Sequence, residues 1–337
     1  ARHAADMTMC IYLLQMREYH RWERGLALGA AIDREAVGDW IAEREALWTT
    51  LEEAPFVPLP LGGAQACDAF DLEAIDARLR PLGLLYGAGL VGGGRPVFFI
   101  AELQDASQRS GLPVLTAGRE LARGLLAPPA ALGRYGDQRS ILIRRESLAR
   151  WCWERYEAYT LRRSAGTPFH AVVQSYGLDR DFAAALPRWL DDQTEILVLH
   201  ELGEAQADPL LGPPWAEMRL SLRSRRTDLF VRAVRDNLAD LSLTLPTLLA
   251  RGADSSVHAW FANHEGVRDA LQPSLKAGYE AWRRGDGGAA LQRQCRLGAA
   301  HFAALAQQLL ALHAGGGPAA GSAIQQLLNS PAAVCSA

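Results

Sequence analysis

The stretch Glu195-Ile196-Leu197-Val198-Leu199-His200-Glu201-Leu202-Gly203-Glu204-Ala205 limits more than any other what this chain can fold into. It sets a histidine and two glutamates inside an apolar segment of helical period. Such a segment has to be buried, and ionised carboxylates are buried at high cost unless a cation, an arginine or several donors meet them. On a helix, residues four apart share a face, which stacks the His200 imidazole over the Glu204 carboxylate and sets Glu201 about 100° round the axis. Pro187 suits the first turn and Asp208-Pro209 the end of one helix over about 188–207. The fold must bring something cationic to this face.

The remainder of the chain supplies mostly helical partners. Ala, Leu and Arg, all good helix formers, dominate, and 337 residues with 49% hydrophobic content are enough for two domains with a core each. Helices are expected over 7–29, from Asp33 to the Pro55, Pro58 and Pro60 cluster, and over 71–80. Another starts at Glu146 and carries Trp151, Cys152, Tyr156 and Tyr159 toward a core, with Arg150, Arg155, Arg162 and Arg163 as a solvated face. After a linker at Ser164–Pro168 the pattern predicts helices at 188–207, 215–249 with a break near Pro246, 256–284 and 289–313. Leu84–Val91 and Pro96–Leu103 read as a hairpin closed by Gly92-Gly93-Gly94-Arg95, with further short strands at Pro113–Ala117 and Ser140–Arg144. The expected class is α+β, predominantly helical. A small hairpin-based sheet falls in an N-terminal domain, 1–165, and the ionisable stretch in a helical C-terminal domain, 166–337.

Several function classes drop out. The 35 basic and 38 acidic residues leave a net charge of -3, and the basic ones are scattered, so the electrostatic footprint of a nucleic-acid binder is missing. Gly87, Gly89, Gly92, Gly93 and Gly94 do not form a GxGxxG leading into a helix, and no GKS or GKT follows; they read as turn positions needing positive φ. Cys10, Cys67, Cys152, Cys295 and Cys335 lie far apart without a CxxC pair, which points to reduced thiols. No run reaches the roughly 20 apolar residues of a membrane span, and the first residues match a secretory signal poorly, so a soluble, cytoplasmic protein is expected. No GxSxG elbow and no recognisable catalytic cysteine are present. The partner is a small-molecule or peptide substrate that no motif identifies, and no motif fixes the oligomeric state.

Leu197-Val198-Leu199-His200-Glu201-Leu202-Gly203-Glu204-Ala205 resembles the signature helix of the zincin metallopeptidases, an apolar run followed by HExxH, with Glu204 where the second histidine would stand. The resemblance covers about a dozen residues. It implies His200 and Glu204 as metal ligands and Glu201 as the general base that activates metal-bound water. Gly203 would let another backbone approach, which accounts for a residue that costs about 1 kcal/mol in a helix interior. One group of zincins takes a further carboxylate from a later helix bearing two acids four apart. Asp236 and Asp240 have that spacing, and by the resemblance they are candidate ligands. Arginines in the same segment, Arg232–Asp240, offer them ion pairs instead. One imidazole with two or three carboxylates suits Fe or Mn at least as well as Zn, so the implied cofactor is a divalent ion of that group.

Three functions are compatible with these residues. The first is a metal-binding protein with a degenerate zincin-like site, a metal-dependent hydrolase if active. The second is a non-catalytic helical scaffold in which His200, Glu201 and Glu204 pair with arginines such as Arg219, Arg223, Arg225 or Arg232. The third is a helical carboxylate-bridged di-iron or di-manganese oxidase, for which His20-x-x-Glu23, His200-x-x-x-Glu204 and His264-Glu265 are present but the usual Glu-x-x-His is not. Among the other histidines, His170 is expected in a loop, His301 and His313 on an alanine-rich helix, and His258 and His264 on or beside a helix near the central one.

Overall fold

Side-chain caps set many of the helix starts: Asp33, Asp71, Thr167, Asp181 and Ser224 each accept a backbone N–H of the helix that follows. The structure is a computed structural model that describes residues 9–52, 54–55, 57–61, 66–91, 95–124, 128–135 and 138–336. In chain order it runs α1 (Met9–Glu23), α2 (Arg34–Leu51), α3 (Leu72–Leu79), β1 (Leu84–Val91), β2 (Arg95–Arg109), β3 (Leu112–Arg123), β4 (Ala130–Tyr135), β5 (Gln138–Arg144) and α4 (Arg145–Arg162). It continues through α5 (Pro168–Tyr176), α6 (Phe182–Ser221), α7 (Arg225–Ala239), a π-helical turn (Asp240–Thr244), α8 (Leu245–Ala250), α9 (Asp254–Asn263), α10 (Val267–Leu271), α11 (Ser274–Arg283), α12 (Ala289–Gly316) and α13 (Gly321–Leu328). The protein is α+β and mostly helical, with the sheet in the N-terminal half and a helical C-terminal half. Two compact units divide within α4, between Glu157 and Ala158, with Ser110–Leu112 and Ala130–Leu132 grouped with the second.

In the first unit the sheet order is β1-β2-β3-β5-β4. β1 and β2 pair antiparallel from Leu84 opposite Glu102 to Val91 opposite Arg95, while β3 and β5 pair in parallel from Val114 with Ile141 to Ala117 with Arg144. Alternation along the strands divides two cores. Leu85, Phe99, Ala101, Leu115 and Ala117 pack together, and Tyr86 joins Ile75 and Leu79 of α3 with Cys67. Gly87 is not a turn residue. It lies in β1, where an added Cβ would come within 2.0 Å of the Phe99 ring. The expected turn at Gly92–Gly94 lies outside the described residues. β4 was not anticipated, because Ala130-Ala131-Leu132-Gly133 carries little β propensity.

The arginines of α4 divide. Arg150 is buried, not solvated, and together with Arg144 and Arg123 it surrounds the buried Glu120, whose Oε2 is 2.9 Å from Arg144. A strand-to-helix junction that inserts an ionic cluster into a core is invisible to helical periodicity.

In the second unit four expectations need correction. Residues 168–176 form α5 and not a loop, since Thr167 caps and Pro168 occupies the first turn. α6 starts at Phe182 and runs past Pro209 to a break at Gly212 (φ 57, ψ -169), after which Pro213 and Pro214 open its last segment. The segment expected over 215–249 breaks at 222–224, and no break falls at Pro246, which lies at the start of α8 directly after the π-helical turn. The stretch expected as a helix over 256–284 is divided into α9, α10 and α11.

Candidate metal centre

The site begins with an inter-helix contact that has no room for a side chain. A Cβ on Gly203 would lie 2.6 Å from the carbonyl oxygen of Ala239, so α6 and α7 touch backbone to backbone there. That contact carries the end of α7 and the π-helical turn past the face of α6 that holds His200 and Glu204. π-helical turns inside helices shift the side chains that follow and recur at functional sites. Asp240 opens this one.

Five predicted residues converge, in different roles. His200 Nδ1 lies 2.8 Å from Asp240 Oδ1, and the other oxygen of Asp240 takes an ion pair from Arg268. Arg268 also meets Asn237, whose Nδ2 donates to the Arg268 carbonyl at 3.0 Å. On the opposite edge of the ring, His200 Nε2 stands 3.6 Å from Glu204 Oε1, which accepts from Arg235 at 2.6 Å. One donor atom each of His200, Glu204 and Asp236 lies within 4.8 Å of the other two. The side chain of Asp236 makes no hydrogen bond or ion pair among the described residues, and neither does that of the buried Glu201. Asp236 and His200 are the partly exposed members, which leaves the cluster accessible from solvent.

These distances sort the ligands. A separation of 3.6 Å is too long for a hydrogen bond. Two donors held by one tetrahedral ion at about 2.1 Å each sit about 3.4 Å apart. Asp240, engaged on Nδ1, occupies the orienting position that a carboxylate takes behind a metal-bound imidazole, fixing the tautomer that leaves Nε2 free to ligate. The set that fits an ion is therefore His200, Glu204 and Asp236, with Asp240 behind the ring.

The electrostatics follow from burial and charge. Burial alone would lower the His200 pKa, but Asp240, together with Glu204 and Asp236, outweighs it and holds the imidazole well above its ordinary value. The Asp240 carboxyl, despite its burial, is held below the usual carboxylate range by His200 and Arg268. Burial also works against ionisation of Glu204, yet His200 and Arg235 keep its pKa low. Glu201 has no such partner: burial and the adjacent Glu204 charge push it up to about 7. Burial raises Asp236 as well.

The arginines on these acids are Arg235 and Arg268; of those named from sequence, Arg219 pairs with Asp228 instead. Arg235 sits next to Asp236 in sequence and was legible as a neighbour, whereas nothing local pointed to Arg268. Sequence reasoning also left open His264, buried, stacked on Trp260 at 4.7 Å, and without a hydrogen-bond partner on either ring nitrogen among the described residues. His258 meets the Tyr279 hydroxyl at 2.7 Å and His170 that of Tyr159 at 2.6 Å. His20 and Glu23 are in the first unit: His20 packs edge-on to Trp40, and Glu23 accepts from Trp40 and Arg44.

Among the described residues no helix is long and apolar enough to cross a membrane. Residues 1–144 match the N-terminal domain, and residues 149–331 the C-terminal domain, of a family of unknown function, DUF6866. No curated protein and no solved structure matches the chain.

Proposed function

The chain belongs to the DUF6866 family, and we propose that its C-terminal domain is a metal-binding unit holding one divalent ion, Zn, Fe or Mn, at His200, Glu204 and Asp236. The observation that carries this reading is the Asp236 carboxylate, without a hydrogen-bond or ion-pair partner among the described residues and gathered with His200 and Glu204 in one cluster. Four carboxylates meet here around Arg235, Arg268 and the His200 imidazole, which they hold in its protonated form. A divalent ion would take the place of the His200 proton, and an oxygen-rich donor set with one imidazole suits all three metals.

A hydrolytic role extends the same reading. The ion would polarise a scissile carbonyl, and Glu201, whose carboxyl titrates near neutrality, would take the proton of the attacking water. Elemental analysis of protein purified without chelator, and again after loading with each metal, tests the binding step. One ion per chain is expected, lost in Asp236→Asn and Glu204→Gln; wild-type protein that takes up none overturns it.

The ion-paired scaffold is a second reading, favoured by the Arg235 contact on Glu204. It requires that added metal leave the melting temperature unchanged, because an ion that binds only the folded state must raise it. A di-iron or di-manganese oxidase would instead show two ions per chain.

A further inference from the structure

The second unit holds a cavity of about 460 Å³ that shares no residue with the metal centre. Asp254 and His258, four apart on α9, line it together with Trp282 and Arg283 at the end of α11. Gly285 and Gly287, both at positive φ, line it without side chains, and an added Cβ at either would meet nothing within 4 Å. A volume of this size is that of a small-molecule pocket.

Tyr279 sets two of these groups in place. Its hydroxyl lies 2.7 Å from His258 Nδ1, and the Arg283 guanidinium lies over its ring, 5.7 Å from the centroid. Burial and Arg283, opposed by Asp254, lower the His258 pKa, while burial pushes that of Tyr279 up to about 12, so both are uncharged near neutral pH. With the Tyr279 O–H on Nδ1, the ring carries its proton on Nε2, which has no hydrogen-bond partner among the described residues. The hydrogen bonds of Arg283, to Glu280 at 3.2 and 3.4 Å and to the Gly166 carbonyl at 3.4 Å, all come from Nη1, which leaves Nη2 and Nε for a ligand. Asp254 forms no ion pair or side-chain hydrogen bond among the described residues, and none with Arg283, although both act on the His258 ring. Opposite charges that line one cavity without meeting each other are complemented by a ligand that bears both.

We propose that this cavity binds a free α-amino acid with an aromatic side chain. Asp254 meets its ammonium, Arg283 and the His258 Nε2–H meet its carboxylate, and its ring packs on Trp282. A zwitterion gives each charge its counterpart, whereas a ligand with one charge leaves Asp254 or Arg283 without one. The rings of His258, Tyr279 and Trp282, with centroids 5.0 to 5.8 Å apart, make the wall aromatic.

The test is calorimetric titration of the full chain with L-phenylalanine, alongside 3-phenylpropionate, which lacks the ammonium, and phenylalaninamide, which lacks the carboxylate. One molecule of phenylalanine per chain is expected, with each analogue bound about tenfold more weakly and L-alanine more weakly as well. Asp254→Asn and Arg283→Gln alter exposed side chains, and each should weaken phenylalanine about tenfold. Asp254→Asn should leave 3-phenylpropionate unaffected, because the group that Asp254 meets is already gone. No saturable binding of phenylalanine at millimolar concentration, an affinity for either analogue or for alanine equal to that for phenylalanine, or variants indistinguishable from wild type overturn the proposal. Loss of binding in Asp236→Asn with retention in both Asp254→Asn and Arg283→Gln places the amino acid at the metal centre and overturns it equally.

Discussion

His264 shows how far one residue's environment can depart from what its neighbours in sequence suggest. Its imidazole is stacked on Trp260 with both nitrogens unpartnered among the described residues, and burial pushes its pKa down to about 3, with the nearby Arg268 adding to the effect and Asp240 and Asp269 opposing it. An unfolded histidine titrates near 6.5, so between about 6.5 and 3 the unfolded chain takes up a proton that the folded chain refuses. The stability that comes from keeping His264 neutral is therefore present above about pH 6.5 and is lost as pH falls through that window. Urea midpoints measured from pH 7 to pH 4 should fall in the wild type and fall less steeply in His264→Leu. Parallel pH dependences would show that His264 is not the group responsible. At the same scale the two candidate aspartates separate: Asp240 orients the His200 ring from Nδ1, while Asp236 is left free to ligate.

At the scale of elements, the contact of α6 with α7 at Gly203 sets the geometry of the centre. Alanine at this position would drive a methyl group into the Ala239 carbonyl, and backbone cannot move aside as a side chain can. Gly203→Ala should destabilise the fold by about 1–3 kcal/mol, as overpacking of a tight contact does, and should weaken metal binding by moving Asp236 away from His200 and Glu204. Urea unfolding with a metal titration reads both effects. An unchanged midpoint would mean that the helices separate without penalty. The resemblance to the zincin helix anticipated a close approach at Gly203, but neither its partner, Ala239, nor the π-helical turn beside it has a local signature. α5 was hidden for a related reason: Gly166 and Pro168 look like a linker until Thr167 is seen to cap the helix that Pro168 begins.

For the whole molecule, the candidate centre belongs to the second compact unit alone. Because an ion stabilises only the folded state that binds it, metal at a hundred times its dissociation constant should add about 2.7 kcal/mol to the unfolding free energy of that unit. Scanning calorimetry should then show the transition of the C-terminal unit moving with added metal and returning with chelator. A thermogram insensitive to both would remove the metal centre as a contributor to stability.

The α+β class was legible because helix formers and short β-branched or aromatic runs have different periods, and period is a property of the chain itself. So was the stacking of His200 over Glu204, which follows from 3.6 residues per turn wherever such a helix lies. The length of α6, the burial of Arg150, the roles of Asp236 and Asp240, and the arrival of Arg268 were decided only in three dimensions. Each depends on which backbone meets which at a distance of tens of residues, and the Gly203 contact with Ala239 accompanies the division of two acids four apart into one that holds the imidazole and one gathered with it and Glu204.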